Sequence, residues 1–131
     1  MTDLKNFKGT VMEVLGIESK EVSKNQIILT MPVTAKTHQP MGGLHGGVSV
    51  VVAETAATMG AWMNIDQEKK MVVGVEINAN HVRGKKDGTV TATATPLHIG
   101  HAISVWDIKI TDEHERLICS SRCTLAVVDK K

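Results

Sequence analysis

The 131-residue sequence contains no tyrosine, and Phe7, Trp62 and Trp106 are its only aromatic residues. A core must therefore be filled by Val, Ile, Leu, Ala and Met, and the stacking platforms that hold single-stranded nucleic acids are missing. Neither sign of charge is in surplus. Fifteen Lys and Arg face 14 Asp and Glu, a net charge of +1, so no broad field draws in a phosphate backbone. Nucleic-acid binding is disfavoured, and a small molecule or a protein is the expected partner. Cysteine is scarce too: Cys119 and Cys123 would stand about 13 Å apart in an extended segment, too far to bridge, so both read as reduced thiols. No run of about 18 uncharged apolar residues is present to span a membrane. Met1–Val11 lacks the basic-then-apolar order of a secretory leader. A cytoplasmic protein without membrane attachment is expected.

With 42% hydrophobic and 22% charged residues, the composition is that of a globular chain. The length suits one domain over residues 1–131, able to bury about two-thirds of its unfolded surface without crosslinks. Leu4, Phe7, Val11, Val14 and Leu15 recur at intervals of mostly three and four, which predicts a short amphipathic helix over Leu4–Leu15, ended by Gly16. Ile17–Val33 reads as two strands in a hairpin turning at Lys24-Asn25, with the apolar run Ile27–Met31 closed by Pro32. The loop Thr34–Gly43 leads to Gly46-Gly47, where a helix can start. Val48–Met63 is apolar nearly all round, with Ala53, Ala56, Ala57, Gly60 and Ala61 as small faces, the pattern of a helix buried on most sides. Beyond the polar stretch Asn64–Lys70 lie four strand-like segments, Met71–Val82, Thr89–Leu97, Ala102–Thr111 and Arg116–Val128. Their short connections predict a meander of sequential antiparallel neighbours. Val90, Ala92 and Ala94 alternating with Thr91, Thr93 and Thr95 mark one buried face. The expected class is α+β, an antiparallel sheet wrapped around one central helix. Its edges would be protected by pairing with a second copy, so a homo-oligomer is expected.

Glu54 is the one charge in the central helix. An unpaired buried carboxylate is costly, so it is either a structural group that reaches a subunit boundary or a backbone partner, or else a base or nucleophile. Thr58 follows one turn later on the same face, where it packs or orients the carboxylate or a water. Gly42-Gly43-Leu44-His45-Gly46-Gly47 sets backbone N–H groups at the helix N-terminus, a donor site for an oxyanion or simply a turn. No Gly-Lys-Ser/Thr follows, so it is not a phosphate-gripping loop. His45 could donate to a substrate or cap the loop. Eight residues of helix put the Glu54 backbone roughly 12 Å from Gly46. A carbonyl held at Gly46 and attacked through Glu54 would therefore draw on two subunits. His98 and His101 flank Gly100 without further ligands at metal spacing, so no metal is assigned. Neither cysteine carries the signature of a nucleophile.

Gln39-Pro40, Leu44-His45-Gly46-Gly47, Ala53-Glu54-Thr55 and Thr58 together resemble the hotdog-fold acyl-CoA thioesterases of the phenylacetic-acid-degradation type. Downstream, Val73-Gly74-Val75-Glu76-Ile77-Asn78-Ala79-Asn80-His81-Val82-Arg83 and Pro96-Leu97-His98-Ile99-Gly100 are similar to strands of 4-hydroxybenzoyl-CoA and 1,4-dihydroxy-2-naphthoyl-CoA thioesterases. The resemblance implies a six-stranded antiparallel sheet around one helix, dimers joined edge to edge, and usually dimers of dimers. It implies hydrolysis of an acyl-CoA without a cofactor. Glu54 would be nucleophile or general base, the Gly46 N–H would polarise the thioester carbonyl, Gln39 and His45 would stand beside that carbonyl, and Thr58 would assist. CoA contacts would fall on Gly74, on His81, Val82, Arg83 and Gly84, and on the turn His98, Ile99, Gly100, His101, Ala102 and Ile103, with Ser120 and Ser121 as further contributors. A hydratase on the same fold, or a module that binds acyl-CoA without hydrolysing it, is the alternative.

Overall fold

The computed structural model describes residues 3–131. A short helix α1 (Val11–Val14) precedes strands β1 (Glu18–Val22) and β2 (Ile27–Pro32), the long helix α2 (Gly46–Trp62), and strands β3 (Lys70–His81), β4 (Thr89–Ile99), β5 (Ile103–Thr111) and β6 (Leu117–Asp129). The six strands form one antiparallel sheet in the order β1-β2-β4-β5-β6-β3. Period-two alternation builds its inner face: Ile27, Leu29 and Met31 of β2, Val90, Ala92 and Ala94 of β4, Trp106, Ile108 and Ile110 of β5, and Cys119, Cys123 and Leu125 of β6 are all buried. Against them lies the small-residue face of α2, through Val52, Ala53, Ala56, Ala57 and Gly60. Gly60 sets the closest approach, since a Cβ there would stand 2.5 Å from the Trp106 ring.

Three sequence expectations are corrected. The N-terminal helix is one turn, Val11–Val14, not Leu4–Leu15; Leu4 and Phe7 pack on the core and Leu15 is buried, but Val11 and Val14 stand exposed, so the spacing did not mark one buried helix face. Strand β4 runs through His98 and Ile99, which the sequence put in the turn. Helix α2 is buried on most sides as expected, with Val51, Glu54, Thr55 and Thr58 as a half-open stripe. The meander holds only for β4, β5 and β6; β3 pairs with β6 and forms the far edge. The seven residues between His81 and Thr89 can span roughly 26 Å. The three strand spacings from β3 to β4 need only about 14 Å, so a short connection did not require neighbouring strands.

That crossing determines where the site forms. The 82–88 segment passes over one end of the sheet and ties neighbouring loops together. The Val82 N–H donates to the Ile118 carbonyl at 2.9 Å, and the Lys85 and Gly88 carbonyls accept from the Leu44 and Val33 N–H groups at 2.7 and 2.8 Å. The Lys86 carbonyl meets His38 Nε2 at 2.8 Å. Glu113, in the β5–β6 turn, pairs with Lys85 and accepts the Thr89 N–H at 2.9 Å.

Candidate active site

The segment entering α2 is held by its own backbone. The Gln39 N–H donates to the Gly43 carbonyl at 2.8 Å and the Gly42 N–H to the Gln39 carbonyl at 2.9 Å, in a turn that needs glycine at 42, where φ is 86°. The Gln39 side chain folds over this turn: its Oε1 accepts the Met41 N–H, and its Nε2 lies 3.3 Å from where a Gly43 Cβ would be. His45 then caps α2, its Nδ1 accepting the Gly47 N–H at 2.9 Å, which fixes the proton on Nε2 when the ring is neutral. The His45 carbonyl takes the Val48 and Ser49 N–H groups. Gly46 N–H is left with no acceptor among the described residues, one of the orphan donors that every helix start presents. His81 stands directly beside it. A Cβ on Gly46 would meet His81 Nε2 at 2.9 Å, so only glycine admits the ring here. Gln39, Gly46, Ser49, His81, Arg83 and Lys85 share one cavity of about 670 Å³, with Val82 and Gly84 also on its wall.

Glu54 and Thr58 lie elsewhere. Both line a second, apolar cavity of about 270 Å³ with Leu4, Met12, Val51 and Met59. The Glu54 carboxylate forms no ion pair or hydrogen bond among the described residues, and its Oε2 lies over Gly74 of β3. Burial, and after it the Glu54 and Glu76 charges, push the Cys123 thiol up to about 12, so that sulfur is an inert neighbour and not a nucleophile. Burial also raises the Cys119 thiol. Within one chain, the free donor at Gly46 and the carboxylate at Glu54 thus open into different spaces.

The remaining expected contacts divide by position. His81 pairs with Cys119 and Ile103 with Ala126 along β6, seven positions or about 23 Å apart, so the His98–Ile103 turn is at the opposite end of the sheet from His81–Gly84. The turn is closed by Gly100 N–H to the Ile103 carbonyl, and the Ala102 carbonyl accepts from Val127, both at 2.9 Å. Ser120 and Ser121 face opposite sides: Ser120 Oγ accepts from Lys109 Nζ at 3.0 Å, while the buried Ser121 Oγ donates to the Asn78 carbonyl at 2.8 Å. Lys85 and Ser49 on the first cavity, and Leu4 and Met12 on the second, were not singled out from sequence; the Lys85-Lys86 pair after Arg83-Gly84 was the available signal. Among the described residues, no three His, Cys, Asp or Glu side chains cluster to hold a metal, and no helix is long and apolar enough to cross a membrane.

A family model described as the thioesterase superfamily matches residues 41–119. The chain is 53% identical over 121 residues to the 1,4-dihydroxy-2-naphthoyl-CoA hydrolase of Listeria monocytogenes, covering 92% of this chain and 98% of that protein. It is 44% identical over 121 residues to the Escherichia coli protein of the same name, covering 92% and 88%. The crystal structure of a mutant thioesterase from Pseudomonas aeruginosa superposes with a TM-score of 0.93 at 37% identity, covering 99% of this chain and 96% of that one.

Proposed function

The chain belongs to the thioesterase superfamily, with its hotdog arrangement of sheet and helix, and is a hydrolase of CoA thioesters; from that premise we propose that residues 1–131 act as one unit, in a homo-oligomer, on an acyl-CoA. An aroyl-CoA is the first choice, and 1,4-dihydroxy-2-naphthoyl-CoA the first to test, because relatives carry that name. The carrying observation is the free Gly46 N–H at the head of α2, with His81 beside it and Gln39 on the same cavity.

In this reading the thioester carbonyl accepts the Gly46 N–H, whose donation strengthens as charge develops on oxygen. Glu54 of a neighbouring subunit then attacks the carbonyl carbon or takes a proton from an attacking water. The tetrahedral species collapses with the C–S bond breaking, and the net change adds one water to give a free acid and CoA thiol. Thr58, one turn from Glu54 on the same cavity, is placed to hold the carboxylate or the water. The His45 Nε2–H and the Gln39 amide would steady the thioester, and Arg83 would draw the CoA phosphates to the first cavity. The acyl group fits the apolar space beside Glu54. Two subunits are needed because the Gly46 and Glu54 groups open into separate cavities, and β3 offers the joining edge: it is long, exposed along most of its length, and carries Val73 and Val75 in the open. Two buried, unbridged thiols accord with a reducing cytoplasm.

Thiol release from aroyl-CoA and a panel of alkanoyl-CoAs tests the activity. Glu54→Ala is expected to lower kcat by about 10²–10⁴-fold. Undiminished turnover in that variant would remove Glu54 from the mechanism, and tight binding with no CoA released by the native protein would make it a binding module instead.

A further inference from the structure

The space into which Glu54 points is bounded by a residue without a side chain. A Cβ on Gly74 would stand 2.5 Å from Glu54 Oε2 and 3.7 Å from the carboxyl carbon. Gly74 lies inside β3 and is not among the residues of positive φ, so the backbone itself does not call for glycine. Glycine within a strand weakens it and marks a bulge or a close approach. Both are present here. The register of β3 on β6 slips at this point, from Gly74 opposite Leu125 to Glu76 opposite Thr124, leaving Val75 as an extra residue.

The slip changes which residues face inward. Gly74 stands opposite buried Leu125, and after the slip Ile77, Ala79 and His81 stand opposite buried Cys123, Ser121 and Cys119. Without the extra residue, parity would turn Glu76 inward, a second carboxylate on the Glu54 side, and would turn His81 away from Gly46. One bulge therefore governs what stands beside both halves of the site, in keeping with the use of bulges to re-aim side chains.

We propose that the Gly74 bulge is a positioning device for the reaction: Gly74 leaves empty the volume in which the Glu54 carboxylate sits, and Val75 supplies the extra residue that brings His81 over Gly46. The inference rests on Glu54 being the catalytic carboxylate. Gly74 is the positioning residue to test, because the atom facing it is the end of a flexible side chain and will yield before the backbone does.

Gly74→Ala is expected to fold with native melting behaviour and to lose kcat by about tenfold or more through displacement of the carboxylate, a loss larger than any accompanying change in KM. Repeating the substitution in a Glu54→Asp background, whose shorter side chain no longer fills that space, should cost less than about twofold further, the non-additivity expected of two residues acting through one contact. Unchanged kcat in Gly74→Ala, or an equal loss in both backgrounds, overturns the proposal. If Gly74→Ala fails to fold, recovery of folding in Gly74→Ala/Glu54→Ala supports the contact, and failure of that double variant as well overturns it. Glu54→Ala measured alone separates the two levels: full activity there sinks the function reading, whereas its loss beside an unaffected Gly74→Ala sinks only the positioning role.

Discussion

Two glycines of this chain look onto a neighbouring atom at the same 2.5 Å, Gly60 onto the Trp106 ring and Gly74 onto the Glu54 carboxylate. Their responses to a methyl group should differ, because Trp106 is fully buried and its Nε1–H is bound to Ser104 Oγ at 2.7 Å, whereas Glu54 is half open with no such tether. Gly60→Ala gains helix propensity, yet it forces a rigid ring to move in a packed core, and overpacking of this kind costs about 1–3 kcal/mol. Its melting temperature should fall by several degrees in a thermal denaturation scan. A melting temperature at or above the native one would show that α2 can lift from Trp106 without penalty.

Among the elements, the 82–88 segment is the one on which the site hangs, since it carries Val82–Gly84 into the first cavity directly after His81 and holds Leu44 and His38 by its carbonyls. Its own anchor is in the β5–β6 turn. The Lys85 ammonium, with the Thr89 N–H after it, holds the Glu113 carboxyl down to about 2, from an ordinary 4.5. In the same turn burial pushes Asp112 upward, but the Arg116 and His114 N–H groups and the Arg116 guanidinium outweigh it and bring Asp112 to about 2. Because the folded values lie below the unfolded ones, these carboxylates stabilise the fold fully above about pH 4.5 and lose that contribution as pH falls toward about 2. Melting temperatures of Glu113→Gln should accordingly decline less than those of the native chain between about pH 5 and about pH 3. Parallel declines would mean that the Lys85 pair, open to solvent on its Glu113 side, contributes nothing measurable.

The whole molecule has an unfinished edge. β1 closes one side of the sheet with five residues, but β3 presents twelve on the other, with Val73 and Val75 at 39% and 61% exposure. A second copy pairing there would extend the sheet and cover this edge. Placing lysine at both positions, Val73→Lys/Val75→Lys, should shift sedimentation to the monomer and remove turnover along with it, since each chain alone opens Gly46 and Glu54 into separate spaces. A monomer that retains native kcat would refute a site shared between subunits.

Periodicity and turn chemistry were enough to find β2, β4, β5 and the long helix, because Ile27–Met31, Val90–Ala94 and the Ala-rich stretch from Ala53 to Ala61 owe their pattern to burial that any compact arrangement must satisfy. The same local logic marked Glu54 as a charge needing an explanation, and the glycines before α2 as a donor site. Strand order was not legible: a seven-residue connection between His81 and Thr89 is short in sequence yet long enough to cross three strands. Nor was the slip at Gly74, since a one-residue change in register leaves composition untouched and is recognised only from what lies opposite. The sequence by itself determined which residues must be buried and which groups could do chemistry. Tertiary structure alone decided that Gly46 and Glu54 open apart, that His81 stands over one and Gly74 beneath the other, and that β3 is left at the edge, because distance and facing direction arise only when segments far apart in the chain are packed together.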